Sequence, residues 1–152
     1  MSLREAIEEA LRDIEGDELA GTVGRKVRAL HGLKKVELHL LDVDRLAVRA
    51  RRLRVCRGDP VNVQAEARSL SSGAAAVPEQ LVPWEVDTAL GRAVLRTGAD
   101  RLRDRRFFEL DVAAEGEFDL QRFEVQDNGQ RQRADWTMTR EQLGQLVEDL
   151  AD

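Results

Sequence analysis

The sequence has no tyrosine, one cysteine (Cys56), three prolines and only three lysines (Lys26, Lys34, Lys35) among 24 basic residues, the other 21 being arginine. A single cysteine cannot close an internal disulfide, which fits a reducing compartment. No apolar run exceeds a few residues, Ala74–Val77 being typical, so no membrane-spanning helix is encoded. The start, Met1-Ser2-Leu3-Arg4-Glu5, is charged and shows no secretory leader, so a cytoplasmic location is expected. Aromatic residues make up only 4% of the chain, so Leu, Val, Ile and Ala have to supply the core. Acidic residues outnumber basic ones by 29 to 24, and a net charge of -5 exerts no global pull on nucleic acid or anionic lipid. A chain of 152 residues suits one domain that needs neither disulfide nor metal.

What is present is periodicity. Ser2 and Glu5 form a capping box, and Leu3, Ile7, Ala10, Leu11 and Ile14 follow at helical spacing. A second helix is expected over about 18–30, with Ala20, Val23, Val27 and Leu30 on one face and Gly32 as terminator. From Lys35 the period becomes two. Val36, Leu38 and Leu40 alternate with polar residues, then Leu46, Val48 and Ala50. At Arg51-Arg52 the alternation slips by one before Leu53 and Val55, the signature of a β-bulge. Val61, Val63, Ala65 and Ala67 read as a further strand, with Leu70 out of phase. Residues 86–96 suit either a helix or a strand. Phe108, Leu110 and Val112 open another strand. Phe118 and Leu120 follow, with a second slip at Gln121-Arg122 before Phe123 and Val125. Asp127-Asn128-Gly129 is a hairpin turn. Ala134, Trp136 and Met138 alternate, and Thr139 with Gln142 caps a closing helix bearing Leu143, Leu146, Val147 and Leu150.

The expected fold is therefore α+β, an antiparallel sheet with N-terminal and C-terminal helices and an internal duplication of a β-β-β(-α) unit. Gly24-Arg25-Lys26-Val27 echoes Gly91-Arg92-Ala93-Val94, Leu41-Asp42-Val43 echoes Leu110-Asp111-Val112, and the two slips fall at matching places. The organisation expected is a single domain over 1–152. N-terminal helices occupy 1–33, a first sheet repeat 34–69, a connection 70–85, and a second sheet repeat with its helix 86–152.

No catalytic, metal or cofactor site is predicted. His31 and His39 stand in different elements without a second ligand at metal spacing. Cys56 has no histidine near it in sequence. Asp42-Val43-Asp44 reads as a polar turn, as does Arg57-Gly58-Asp59-Pro60, and no glycine-rich phosphate loop occurs. The informative feature is the strand over 45–56. With Leu46, Val48, Ala50, Leu53 and Val55 inward, Arg45, Arg49 and Arg54 face outward, while Arg51 and Arg52 sit at the slip. These five arginines are the candidate partner-binding residues. Segment 34–69 has nine basic and five acidic residues, net +4, and segment 101–152 has eight and thirteen, net -5. That polarity suits phosphates, a carboxylate-rich partner, or a second copy meeting the first as a homodimer. The aromatics Phe108, Phe118, Phe123 and Trp136 all fall on core phases, leaving only Trp84 and Phe107 for base stacking.

Three segments carry a resemblance. They are Arg106-Phe107-Phe108-Glu109-Leu110-Asp111-Val112, Gly116-Glu117-Phe118-Asp119-Leu120, and Trp136-Thr137-Met138-Thr139 running into the last helix. Residues 105–150 resemble a Pur-alpha-type (PUR) repeat, of a family built from interlocked sheet-and-helix repeats that binds single-stranded nucleic acid. Glu117, Asp119 and Gln121 stand near where that family carries basic residues. The reading favoured is a non-enzymatic binding or adaptor protein with a protein partner or self-association. A single-stranded nucleic-acid-binding protein of PUR-like fold is the alternative, and a small enzyme with an unrecognised site is the third.

Overall fold

The computed structural model describes residues 2–14, 24–74, 80–97 and 105–152. In chain order these form α1 (Leu3–Ile14), β1 (Arg25–His31), β2 (Lys34–Val43), β3 (Ala47–Cys56) and α2 (Val63–Ser69), which runs into a π-helical turn, Leu70–Ala74. Then come β4 (Val82–Asp87), β5 (Arg92–Arg96), β6 (Arg106–Ala113), β7 (Glu117–Val125), β8 (Arg131–Ala134), β9 (Trp136–Thr139) and α3 (Arg140–Ala151). All strand pairings are antiparallel. The sheet runs β1-β2-β3-β7-β6-β5-β4, while β8 extends the outer end of β7 and β9 flanks the start of β3. The chain is α+β with helices at both ends, as its periodicity predicts.

One apolar cluster joins all three helices to one face of the sheet. Leu3, Ile7, Leu11 and Ile14 of α1 and Leu143, Leu146, Val147 and Leu150 of α3 meet Val36, Leu38, Leu53, Val55, Phe118 and Leu120 in it. Arg57, just past β3, ties this layer together. It lies 4.3 Å over the Phe118 ring, donates to the Leu150 carbonyl at 2.9 Å, and holds Glu66 of α2 with both terminal nitrogens at 2.6 and 3.1 Å.

Several expectations are corrected. The helix over 18–30 is strand β1 from Arg25 onward, while residues 18–23 lie outside the described residues. Val27 and Ala29 alternate with Lys26 and Arg28, and Gly32-Leu33 is a hairpin turn that registers Arg25 against Leu40 and His31 against Lys34. Hairpin pairing with β2 outweighs the helical spacing. The strand over 61–67 is instead helix α2, so the first sheet segment ends at Cys56 rather than 69. Asn62 caps α2 by accepting from the Ala65 amide at 3.0 Å. Val63, Ala67 and Leu70 are its buried stripe, so the residue out of phase for a strand is in phase for a helix. The stretch 86–96 is the end of β4, a turn, and β5, and β4 begins inside the expected connection over 70–85. Leu46 is not inward but 70% exposed in the β2–β3 turn.

The two slips differ. In β3 the register passes from His39↔Arg52 to Leu40↔Ala50, so Arg51 is the extra residue of a bulge. In β7 the pairing with β6 is regular throughout, so no bulge forms there. Phe123 therefore lies on the face opposite Phe118 and Leu120, outside the main apolar cluster, and its assignment to a core phase is corrected. The three-strand meander β1-β2-β3 is followed along the chain by α2, whereas β5-β6-β7 is followed by β8 and β9 before α3. Each meander is entered through a glycine at positive φ, Gly24 at 68° and Gly91 at 66°.

Candidate functional site

The face of the sheet turned away from the helices is the candidate site, because strand alternation sends the charged residues there. The bulge at Arg51 resets the phase of β3. Arg49, Arg52 and Arg54 thus share this open face, while Val48, Ala50, Leu53 and Val55 are buried beneath the helices. Arg51 is exposed at the bulge and Arg45 is exposed in the β2–β3 turn. That turn is held by Asp44, whose carboxylate accepts from the Leu46 and Ala47 amides at 2.7 and 2.8 Å, and these bonds lower its pKa. Asp42 accepts from the Val43 amide at 2.9 Å. Both carboxylates thus serve the backbone, and no cluster of three or more metal-type ligands exists among the described residues.

The basic and acidic segments of the sequence meet inside one molecule. Strands β3 and β7 are neighbours, with Arg52 opposite Gln121, Arg54 opposite Asp119 and Cys56 opposite Glu117. The arginines reach diagonally. Arg52 grips both oxygens of Asp119 at 2.9 and 2.5 Å, and Arg54 lies 3.7 Å from Glu117. Arg49 lies 3.4 Å from Asp135, between β8 and β9. Since Arg52 bypasses its direct neighbour, the side-chain oxygen of Gln121 is buried without a partner. Further out, Glu37 accepts from Arg28 at 2.9 Å, and that bond chiefly lowers its pKa. His39 lies 3.5 Å from Glu37, yet burial and the nearby Lys26 depress its pKa and favour the neutral ring. Cys56 is half-buried beside Lys35, Glu37, Arg54 and Glu117.

On the other half of the face lies a cluster that the sequence reading missed. The carboxylate of Glu109 is only 8% exposed, held by Arg96 at 3.1 Å and Arg131 at 3.0 Å. Both guanidinium groups lie over aromatic rings: Arg96 is 4.6 Å from Trp84 and 5.4 Å from Phe107, and Arg131 is 4.2 Å from Phe123. Phe107 and Phe123 pair with centroids 5.7 Å apart. The available signal was that Phe107 and Phe123 share the phase opposite Phe108 and Leu120. Beside this cluster an open groove of about 280 Å³ is lined by Glu85, Asp87, Asp111 and Arg92 among others. Burial and the adjacent Glu109 raise the pKa of Asp111, against the pull of Arg92 at 3.3 Å.

The face is thus a lattice of matched opposite charges with two aromatic-backed arginines, suited to binding a surface of mixed charge. No family model, curated protein or solved structure matches the chain. The segments resembling a PUR repeat lie in β6, in the turn entering β7 and its first half, and in β9. No helix among the described residues is long and apolar enough to cross a membrane.

Proposed function

We propose that this protein is a non-enzymatic binding or adaptor protein that engages a protein partner through its open sheet face. One observation carries the reading. Arg49, Arg52 and Arg54 each lie within 3.7 Å of an acidic side chain of the same chain. A phosphate backbone needs a continuous run of unopposed cations, and this face offers alternating signs. A protein surface of mixed charge can exchange with such pairs, and Arg45 and Arg51, which have no ion-pair partner among the described residues, add unopposed positive charge at its border. We read the two meanders as copies of one unit, and self-association as a homodimer as one form the protein partner takes.

The test is photo-crosslinking in cells from Arg51 at the border of the open face and from Arg12 on the exposed side of α1, followed by titration of the captured partner in pure form. Capture from Arg51 alone is expected, with affinity falling about tenfold or more in Arg49→Glu with Arg54→Glu. Unchanged affinity in that double variant would reduce the arginines to solvated surface. The alternative, a single-stranded nucleic-acid-binding protein of PUR-like fold, is favoured by Trp84, 47% exposed beneath Arg96. A low-salt oligonucleotide titration separates the two, since affinity collapsing steeply with added salt would establish the nucleic-acid reading.

A further inference from the structure

The two ends of the sheet are finished differently. Edge strand β1 presents Arg25, Lys26 and Arg28, all exposed, and such charges discourage further strand pairing. Edge strand β4 is finished with the opposite charge, Glu85 and Asp87, and with apolar residues between. Val82, Trp84 and Val86 are 43%, 47% and 38% exposed, and no strand pairs with its outer side among the described residues. The ladder fixes which of its amides are free. Gly91 accepts from the Ala114 amide and Phe108 from the Thr97 amide, so odd-numbered residues of β5 bond toward β6. Arg92, Val94 and Arg96 therefore bond toward Asp87, Glu85 and Val82 of β4. The N–H and C=O of Val86 consequently point outward, and Pro83 occupies an outward phase where its missing N–H costs no ladder bond.

Beside this edge the arginines of the groove, Arg92 and Arg131, are paired with Asp111 and Glu109, and the charges left over are acidic. Glu85 and Asp87 stand on the open face next to the groove, with Asp111 further in. Neither Glu85 nor Asp87 has an ion-pair partner among the described residues. On the helix side the edge presents Val86. A strand laid along β4 would place alternate side chains over Glu85 and Asp87, and those between them beside Val86. A second copy placing its own β4 there would set carboxylates against carboxylates.

We infer that β4 is a strand-addition site for an extended segment of another protein in which Lys or Arg alternates with apolar residues. The inference rests on the reading that the chain binds proteins but uses a different surface, four strand positions from β3. Main-chain bonds to Val86 supply the pairing, and Glu85 and Asp87 select the basic side chains.

The test uses the full chain and a short end-blocked peptide of alternating Lys and Val, with its Glu-for-Lys counterpart as control. The Lys–Val peptide is expected to bind and shift the amide resonances of β4, and the Glu–Val peptide to bind about tenfold weaker or less. Val86→Pro removes the outward N–H together with the valine side chain at the centre of the edge, and should weaken binding by about tenfold. Glu85→Lys should reverse the preference between the peptides, whereas Arg49→Glu with Arg54→Glu should change neither affinity. The open-face reading can therefore fail while this one stands. Equal binding by the Val86→Pro protein, shifts centred on β1, or a dimer that Val86→Pro dissolves and the peptide does not would each overturn the inference.

Discussion

Strands β3 and β7 lie side by side at the middle of the sheet and share an irregularity in their letters, yet they resolve it in opposite ways. In β3 one residue, Arg51, is squeezed out as a bulge, and Val48, Ala50, Leu53 and Val55 all reach the helix face. In β7 nothing is squeezed out, and Phe123 crosses to the open face instead. The difference follows from what each side offers. Helix α3 packs over β3, so every apolar residue of that strand gains by facing it. Beyond Leu120 the helix-side position of β7 belongs to Arg122, 5.0 Å over the Phe108 ring, whereas the open side offers Phe107 as a partner for Phe123 and Arg131 as its cover. A slip in alternation marks either a bend in the strand or a change of the buried face.

Deletions break this comparison most sharply. Removing Arg122 would join Gln121 to Phe123, send Phe123 to the helix side and throw the β8 pairing out of register. The expected result is failure to fold, or a loss above about 4 kcal/mol in urea unfolding. Removing Arg51 leaves Val48, Ala50, Leu53 and Val55 in one unbroken alternation. It sacrifices only the match to the compensating irregularity at Leu41 of β2, and about 1–2 kcal/mol is expected. Equal costs would erase the distinction. Phe123→Ala falls between the two deletions. Phe123 is 8% exposed despite lying on the open face, and losing its contacts with Phe107 and Arg131 should cost about 2–3 kcal/mol by the same measurement.

The same contrast explains how much was legible beforehand. The two terminal helices, the capping box at Thr139 and the β3 bulge were readable because each is a local pattern with one physical solution. The stretch from Val61 to Leu70 was not, since small apolar residues at alternate positions serve a strand and a short helix alike. The cap Asn62 and the out-of-phase Leu70 were the deciding marks. Strand β1 was hidden because its partner, β2, rather than its own composition, makes it a strand. Within the candidate site, the five arginines of segment 45–54 were visible, but the neutralisation of Arg49, Arg52 and Arg54 was not. Which carboxylate answers which arginine depends on β3 lying beside β7, a neighbour relation between residues about 70 apart that no local pattern encodes. The Glu109 cluster was missed for the same reason, since it draws on β4, β5, β6, β7 and β8 at once.

The junction itself gives a smaller effect. Arg52 and Asp119 keep side-chain exposures of 23% and 18%, so their pair is only partly screened by water. Arg52→Ala should cost about 1–2 kcal/mol, because it strands a half-buried carboxylate. Replacing both residues by alanine should cost less than the two single changes added together. A cycle with no coupling would mean that the charges of β3 and β7 face one another without holding the halves together.

The smallest effect concerns protons and sets the two halves of the open face directly against each other. Glu37 lies among cations, and its bond to Arg28 chiefly holds its pKa below the ordinary 4.5. The folded state thus binds its proton more weakly than the unfolded chain does. Its contribution to stability is present above the ordinary value and fades as pH falls through the lower, folded one. Asp111 lies among carboxylates, and burial, then Glu109, raises its pKa above the ordinary 3.8. Its contribution runs the other way, complete below 3.8 and lost as pH rises through the raised value. Glu37→Gln should therefore lower the melting temperature at neutral pH, the deficit shrinking on acidification. Asp111→Asn should raise it at neutral pH, the gain vanishing in acid. Each change is expected to be about 1–3 °C, read from thermal melts between mild acid and neutral pH. Shifts of the same sign in both variants would mean that Glu37 and Asp111 sit in one electrostatic environment rather than two.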